Sequence, residues 1–156
     1  MENPLLELQE YENLQEALKK AKGPVQATGT LDSQKVHLMY WLGKDGGFPW
    51  KLVVTYDDQR AREIYDDFRS FTENVWLYPA KDLLFYSADI HGNLMTRQRI
   101  AVWRHLMEEK EGVVVTTLDG LMDHLLPLVF LKQQAVTVEN GQIMDLDEWK
   151  ERLTAL

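Results

Sequence analysis

Apolar and polar positions along the 156-residue chain form short continuous runs alternating with amphipathic stripes. Over residues 5–22, Leu14, Ala17, Leu18 and Ala21 share one helical face, and Gly23-Pro24 ends the run, which predicts an amino-terminal helix or a broken pair. Residues 25–28 are expected to form a short strand, followed by a loop from Gly29 to Lys35, and helical spacing resumes at Val36, Met39, Tyr40 and Gly43. Beyond a flexible loop containing Gly46-Gly47, residues 50–56 read as an apolar strand covered on both faces, hence a central one. Asp57 is placed to cap a helix whose stripe is Ala61, Ile64, Tyr65, Phe68 and Phe71, leaving Asp58, Arg60, Arg62, Asp66 and Asp67 in water.

Residues 75–78 predict another strand, ended by Pro79, and residues 80–93 read as an extended loop with 83–86 packed down. Asn93 is expected to cap a helix that buries Ile100, Trp103, Leu106 and Met107. A buried strand over 113–117 and a short helix with Leu118, Leu121, Met122 and Leu125 on one side follow. Alternating strands and helices predict the α/β class, as a three-layer parallel sheet with helices on both faces. After a connector at 127–134 the pattern changes. Residues 135–138 alternate, Asn140-Gly141 marks a turn, and Asp145 or Asp147 caps a last helix carrying Leu146, Trp149 and Leu153. The expected domains are therefore 1–132 and 133–156, the second holding only the first strand and helix of another α/β unit. That piece is too short to bury its own faces, so the natural chain is expected to continue.

A composition of 45% hydrophobic residues supports one full core. The formal charge of −8, from 25 acidic and 17 basic residues, repels phosphate backbones, so DNA binding by this piece alone is not expected. Arg97, Arg99 and Arg104 accordingly read as a solvated face. Without cysteine there is no disulfide and no thiolate metal site, and His37, His91, His105 and His124 are scattered singly, so no metal site is expected. The tryptophans, Trp50 and Trp103 among them, read as packing residues rather than base-stacking platforms. The longest apolar run, 125–131, is broken by Pro127, and the start Met1-Glu2-Asn3-Pro4 lacks a secretory signal pattern. No membrane span and a cytoplasmic location are the expectation.

One segment carries candidate chemistry. A phosphate loop reads G-x-x-x-x-G-K-[ST] after a strand: its glycines admit backbone N–H groups to the phosphates, its lysine reaches the outer phosphates and its hydroxyl holds magnesium. Gly29-Thr30-Leu31-Asp32-Ser33-Gln34-Lys35-Val36 fits that frame with Gly29 first and Lys35 in the lysine position. Gln34 replaces the second glycine, Val36 replaces the hydroxyl and Asp32 brings negative charge into the loop. Gly29, Ser33, Gln34, Lys35 and Val36 thus outline a vestigial loop, and neither ATP nor magnesium is expected to bind. Two decoys have simpler readings: Asp145-Leu146-Asp147 as helix caps rather than a magnesium-holding pair, and Thr117 as a cap rather than a DNA contact. No catalytic residue is expected, and the partner-contact residues stay unassigned.

The order of segments resembles a known family. Ser33-Gln34-Lys35, the strand and helix over 52–71 with Tyr65-Asp66-Asp67, Leu77-Tyr78-Pro79, Arg97-Gln98-Arg99-Ile100-Ala101-Val102 and Gly112-Val113-Val114-Val115 resemble the first domain of bacterial transcription-repair coupling factors. Residues 136–156, with Gly141, Asp145-Leu146-Asp147 and Arg152-Leu153, are similar to the start of that family's second domain. The family's amino-terminal module is UvrB-like, with a degenerate P-loop NTPase (RecA-like) fold. The resemblance implies a non-catalytic docking module in an ATP-dependent DNA translocase that releases stalled RNA polymerase and recruits nucleotide excision repair. UvrA is the implied partner of the complete module, and RNA polymerase and DNA are reached through parts not present here. Two other readings remain open: a working P-loop ATPase using Lys35, and an unrelated α/β interaction domain.

Overall fold

Among the described strands, the last in sequence lies in the middle of the sheet. A computed structural model describes residues 2–80, 89–122, 127–134, 140–142 and 145–154. Among them, strands β1 (Trp50–Thr55), β2 (Val75–Tyr78) and β3 (Gly112–Thr117) form one parallel sheet in the order β1-β3-β2, in the α/β class. Trp50 stands opposite Gly112, and Val75 opposite Val113. All six residues of β3 are buried. The expectation that residues 50–56 form the central strand is therefore corrected: β1 is an edge, with Leu52 and Val54 58% and 44% exposed. Val113, Val114 and Val115 supply an unbroken β-branched run that packs on both faces, whereas among the described residues β1 meets a neighbour on one side only.

Helices α1 (Gln9–Lys20), α2 (Asp32–Asp45), α3 (Asp58–Arg69), α4 (Asp89–Glu108) and α5 (Leu118–Met122) accompany the sheet, after a 3-10 turn at Pro4–Glu7. On one face Val36 of α2 and Ala61, Ile64 and Phe68 of α3 close over Val75, Val113 and Val115. Asp57 caps α3 as expected, its carboxylate accepting the Arg60 N–H at 2.7 Å. On the other face Val102 of α4 meets Tyr78 and Val114, flanked by Trp50, Trp76, Trp103 and Leu106. A Cβ at Gly112 would collide with the rings of Trp76 and Trp50, so the glycine lets these indoles pack across the start of β3.

Several local expectations are corrected. Residues 25–28 form no strand: Gln26, Ala27 and Thr28 are exposed and no neighbouring strand pairs with them. In α1 the buried residue is Tyr11, while Ala17, Leu18 and Ala21 face water. Asn93 is inside α4 rather than at its cap. Ile100 is 61% exposed, and the inward face is Arg99, Val102, Trp103 and Leu106 at spacings of 3, 4 and 7. Arg99 is buried instead of solvated, its guanidinium 4.5 Å from the Tyr78 ring centroid and donating to the Pro79 carbonyl at 3.2 Å. In α5 Leu118 and Met122 are exposed, because buried Gly120 is the residue turned to the sheet; Thr117 caps it, accepting the Gly120 N–H at 3.2 Å.

The chain separates into two compact units, Met1–Asp123 and His124–Leu156. In the second, residues expected to be a connector form helix α6 (Leu128–Gln134), started by Pro127 just ahead of its first turn. Gly141 takes the positive φ of 87° that its turn requires. Asp145 caps α7 (Leu146–Thr154) by accepting the Asp147 N–H at 2.9 Å, and Leu146 is exposed. The expected loop packing at 83–86 and the expected strand at 135–138 lie outside the described residues.

Two measurements check this packing. Phe68, 1% exposed, should lose about 3 to 5 kcal/mol on truncation to alanine, while Ile100→Ala should stay within about 0.5 kcal/mol in urea denaturation. Asp45 ties the amino-terminal segment to α2, accepting from Asn3, Tyr11 and Gln15 at 2.6, 2.8 and 3.2 Å. Burial, and then the bond to Asp45, push the Tyr11 hydroxyl up from 10.0 to about 12. A raised acid holds its proton more tightly when folded, so this contribution is complete below 10.0 and lost as pH rises through about 12. Tyr11→Phe should remove that step from an alkaline stability profile.

Candidate functional site

The segment from Gly29 to Val36 is a turn followed directly by helix. Gly29 has a φ of 83°, a left-handed conformation that favours glycine. Leu31 occupies the N-cap position with extended backbone, so Asp32, Ser33, Gln34 and Lys35, expected in a loop, are instead the first turn of α2. Leucine has no acceptor to cap that turn. Gln34 makes half of a capping box alone, its amide oxygen accepting the Leu31 N–H at 3.1 Å.

Charge within this turn is paired internally. The Lys35 ammonium donates to Asp32 at 2.8 Å, and Arg60 of α3 reaches the same carboxylate oxygen at 3.2 Å. Arg60 also holds Glu63 at 2.9 Å, and its side chain is only 17% exposed, so it bridges two carboxylates rather than standing free in water as its stripe position suggests. The bond from Lys35, followed by the charge of Arg60, lowers the Asp32 carboxyl below its ordinary value. The Arg60 guanidinium is raised, first by its bond to Glu63. Val36 is 1% exposed and belongs to the core beneath α3. Ser33 is exposed at the surface.

Of the loop residues singled out in the sequence, the fold gathers Gln34 and Lys35 onto one helical turn with Asp32 and sends Val36 inward. Arg60 is the participant that sequence patterning missed. Its i, i+3 relation to Glu63 is legible, but its contact with Asp32 joins two helices distant in sequence. Beside the turn lies a cleft of about 410 Å³ between the amino-terminal segment and α2, walled by Leu5, Leu8, Tyr11 and Leu14 and reached by Gln34 and His37. His37 is engaged there as a packing residue, accepting from the Trp41 indole N–H at 2.9 Å and stacked on Phe71 at 5.4 Å. His105 lies flat on Trp76 with ring centroids 4.5 Å apart. Among the described residues no group of three or more histidines or carboxylates is placed to hold a metal ion, and no helix is long and apolar enough to cross a membrane.

Chemically, the turn places the Asp32 carboxylate beside the first N–H groups of α2, and its lysine already has an anionic partner. A depressed carboxyl contributes stability that is present above the ordinary 3.8 and lost as pH falls through the lower folded value. The stability difference between the wild type and Asp32→Asn should accordingly persist at neutral pH and close in acid below 3.8; a difference constant across that range would show that the ion pair contributes nothing.

No family model and no solved structure matches the chain. Among curated proteins it is similar to the transcription-repair-coupling factors of Staphylococcus haemolyticus (strain JCSC1435), Staphylococcus aureus (strain USA300) and Staphylococcus epidermidis (strain ATCC 35984). In each case identity is 23% over 104 residues, which covers 65% of this chain and 9% of the relative. The chain thus matches less than a tenth of the length of these relatives, in their amino-terminal part, and is related to them by weak sequence likeness.

Proposed function

We propose that this chain is a non-catalytic docking module of the kind that opens a transcription-repair coupling factor, with a UvrB-like, RecA-like domain whose phosphate loop has lost its ligand. The observation carrying this reading is the internal pairing of Lys35. Its ammonium is bound to Asp32 within the first turn of α2, and the next residue, Val36, is buried where a magnesium-binding hydroxyl would stand. To bind a nucleoside triphosphate the turn would have to release Lys35 and bring phosphates against Asp32, a like charge. The likeness to the staphylococcal factors supports the transcription-repair setting. In this reading the parent protein is an ATP-dependent DNA translocase acting on stalled RNA polymerase. Partner recruitment, UvrA foremost, belongs in this reading to the family's second domain, the start of which residues 133–156 resemble.

Two tests separate this from a working ATPase and from an unrelated interaction domain. A nucleotide binding only the folded state at 100 times its dissociation constant adds about 2.7 kcal/mol of stability. Millimolar Mg-ATP should leave the melting temperature unchanged; a rise of several degrees that vanishes in Lys35→Ala would make this an ATP site. In the second test UvrA is titrated into the 156-residue chain and into one extended through the second domain. Binding should reach a measurable range only in the extended chain, and equal affinity for both would place the contact within the 156 residues and overturn this assignment.

A further inference from the structure

The outer edge of β1, unpaired among the described residues, and the sheet face beside it carry an inference about self-association. The Gly112 N–H donates to the Pro49 carbonyl at 2.8 Å, and β1 runs parallel to β3 with Trp50 opposite Gly112. In a parallel ladder each residue directs its N–H and C=O to the same side and successive residues alternate. Lys51, Val53 and Thr55 therefore bond β3, whereas the peptide groups of Trp50, Leu52 and Val54 point outward. Among the described residues no backbone bond meets them. Leu52 and Val54 project to the α4 side of the sheet, where α4 covers β2 and β3 but leaves these two 58% and 44% exposed. An unpaired edge bearing exposed apolar side chains is a template for another strand.

We propose that β1 pairs antiparallel with β1 of a second copy of this chain, about a two-fold axis passing at Val53. The charges along the strand select this occupant and this direction. β1 is basic where it begins, at Lys51, and acidic where it leads into α3, at Asp57 and Asp58. Parallel pairing sets like charges together; antiparallel pairing sets the Lys51 of each copy diagonally across from the Asp57 of the other, two residues beyond the Thr55 it faces. Register follows from the two exposed apolar residues: setting each Leu52 directly against a Val54 of the other copy places Val53 against its own counterpart and Lys51 opposite Thr55. Leu52 and Val54 then form a hydrogen-bonded pair using their outward peptide groups, twice by symmetry. The two copies share one apolar strip of four side chains. This inference rests on the strand edge alone and is independent of the functional reading above.

The chain has no cysteine, so one introduced thiol reports the axis without background. A residue facing its own counterpart at a non-hydrogen-bonded site has a Cα separation of about 4.5 Å, within the disulfide range of about 4.4 to 6.8 Å. Under mild oxidation of the full chain, Val53→Cys should form a covalent dimer rapidly, and Leu52→Cys, which faces Val54, should cross-link no faster than a cysteine at exposed Glu109. By sedimentation from micromolar to millimolar concentration, the wild type should shift from monomer to twice its mass, and Val54→Lys, at an exposed site that leaves the core intact, should abolish the shift. A wild-type chain that stays monomeric throughout would overturn the proposal. So would cross-linking through Leu52→Cys in place of Val53→Cys, or a Val54→Lys variant that dimerises as well as the wild type.

Discussion

Everything else in the first unit depends on the burial of β3. Its six residues are all buried, so its peptide groups need protein partners and both rows of side chains need a cover. β1 and β2 satisfy the peptide groups, one on each side. Val113 and Val115 require the α2 and α3 layer, and Val114 requires α4. Thr116, also buried, resolves its hydroxyl by donating to the Tyr78 carbonyl at 2.8 Å. The glycine at 112 and the tryptophans around it belong to the same arrangement, since the indoles of Trp50 and Trp76 close over the position where a side chain on β3 would stand.

This core also determines the chemistry available at the turn before α2. Val36 is drawn into the cluster under α3, which sets the rotation of α2 and leaves Asp32 and Lys35 on its outer surface near Arg60. One carboxylate then answers two cations, and the lysine that could reach a ligand is held by its own chain. An exposed pair of this kind stabilises the fold weakly. Its consequence is local, since it fixes the orientation of the two side chains at the start of α2.

Two asymmetries of the sheet have the same origin. β3 is flanked on both sides and β1 on one, so the same kind of apolar run is fully buried in one strand and partly wet in the other. On α4 the inward place that the apolar pattern assigns to Ile100 is taken by the neighbouring Arg99, whose guanidinium lies over Tyr78 with its charge directed to the Pro79 carbonyl. A cation–π contact and a carbonyl bond offset the desolvation of that charge.

Sequence alone determined the features governed by neighbours a few residues apart. The α3 stripe of Ala61, Ile64 and Phe68, its Asp57 cap, the β2 strand, the buried valines of β3, the Thr117 and Asp145 caps and the glycine turn at Gly141 were all legible, because helix period, strand period and capping are local. Gln34 and Val36 likewise announced a departure from the phosphate-loop pattern. Strand order, the exposure of Leu52, Val54 and Ile100, the irregular course of 25–28 and the link from Arg60 to Asp32 belong to the tertiary structure. Residues 25–28 have strand-like composition, but a strand exists only when another pairs with it. Arg60 and Asp32 lie on different helices, and only their packing on one sheet face brings their charges together. Long-range pairing of this kind is a property of the assembled core, and no local period records it.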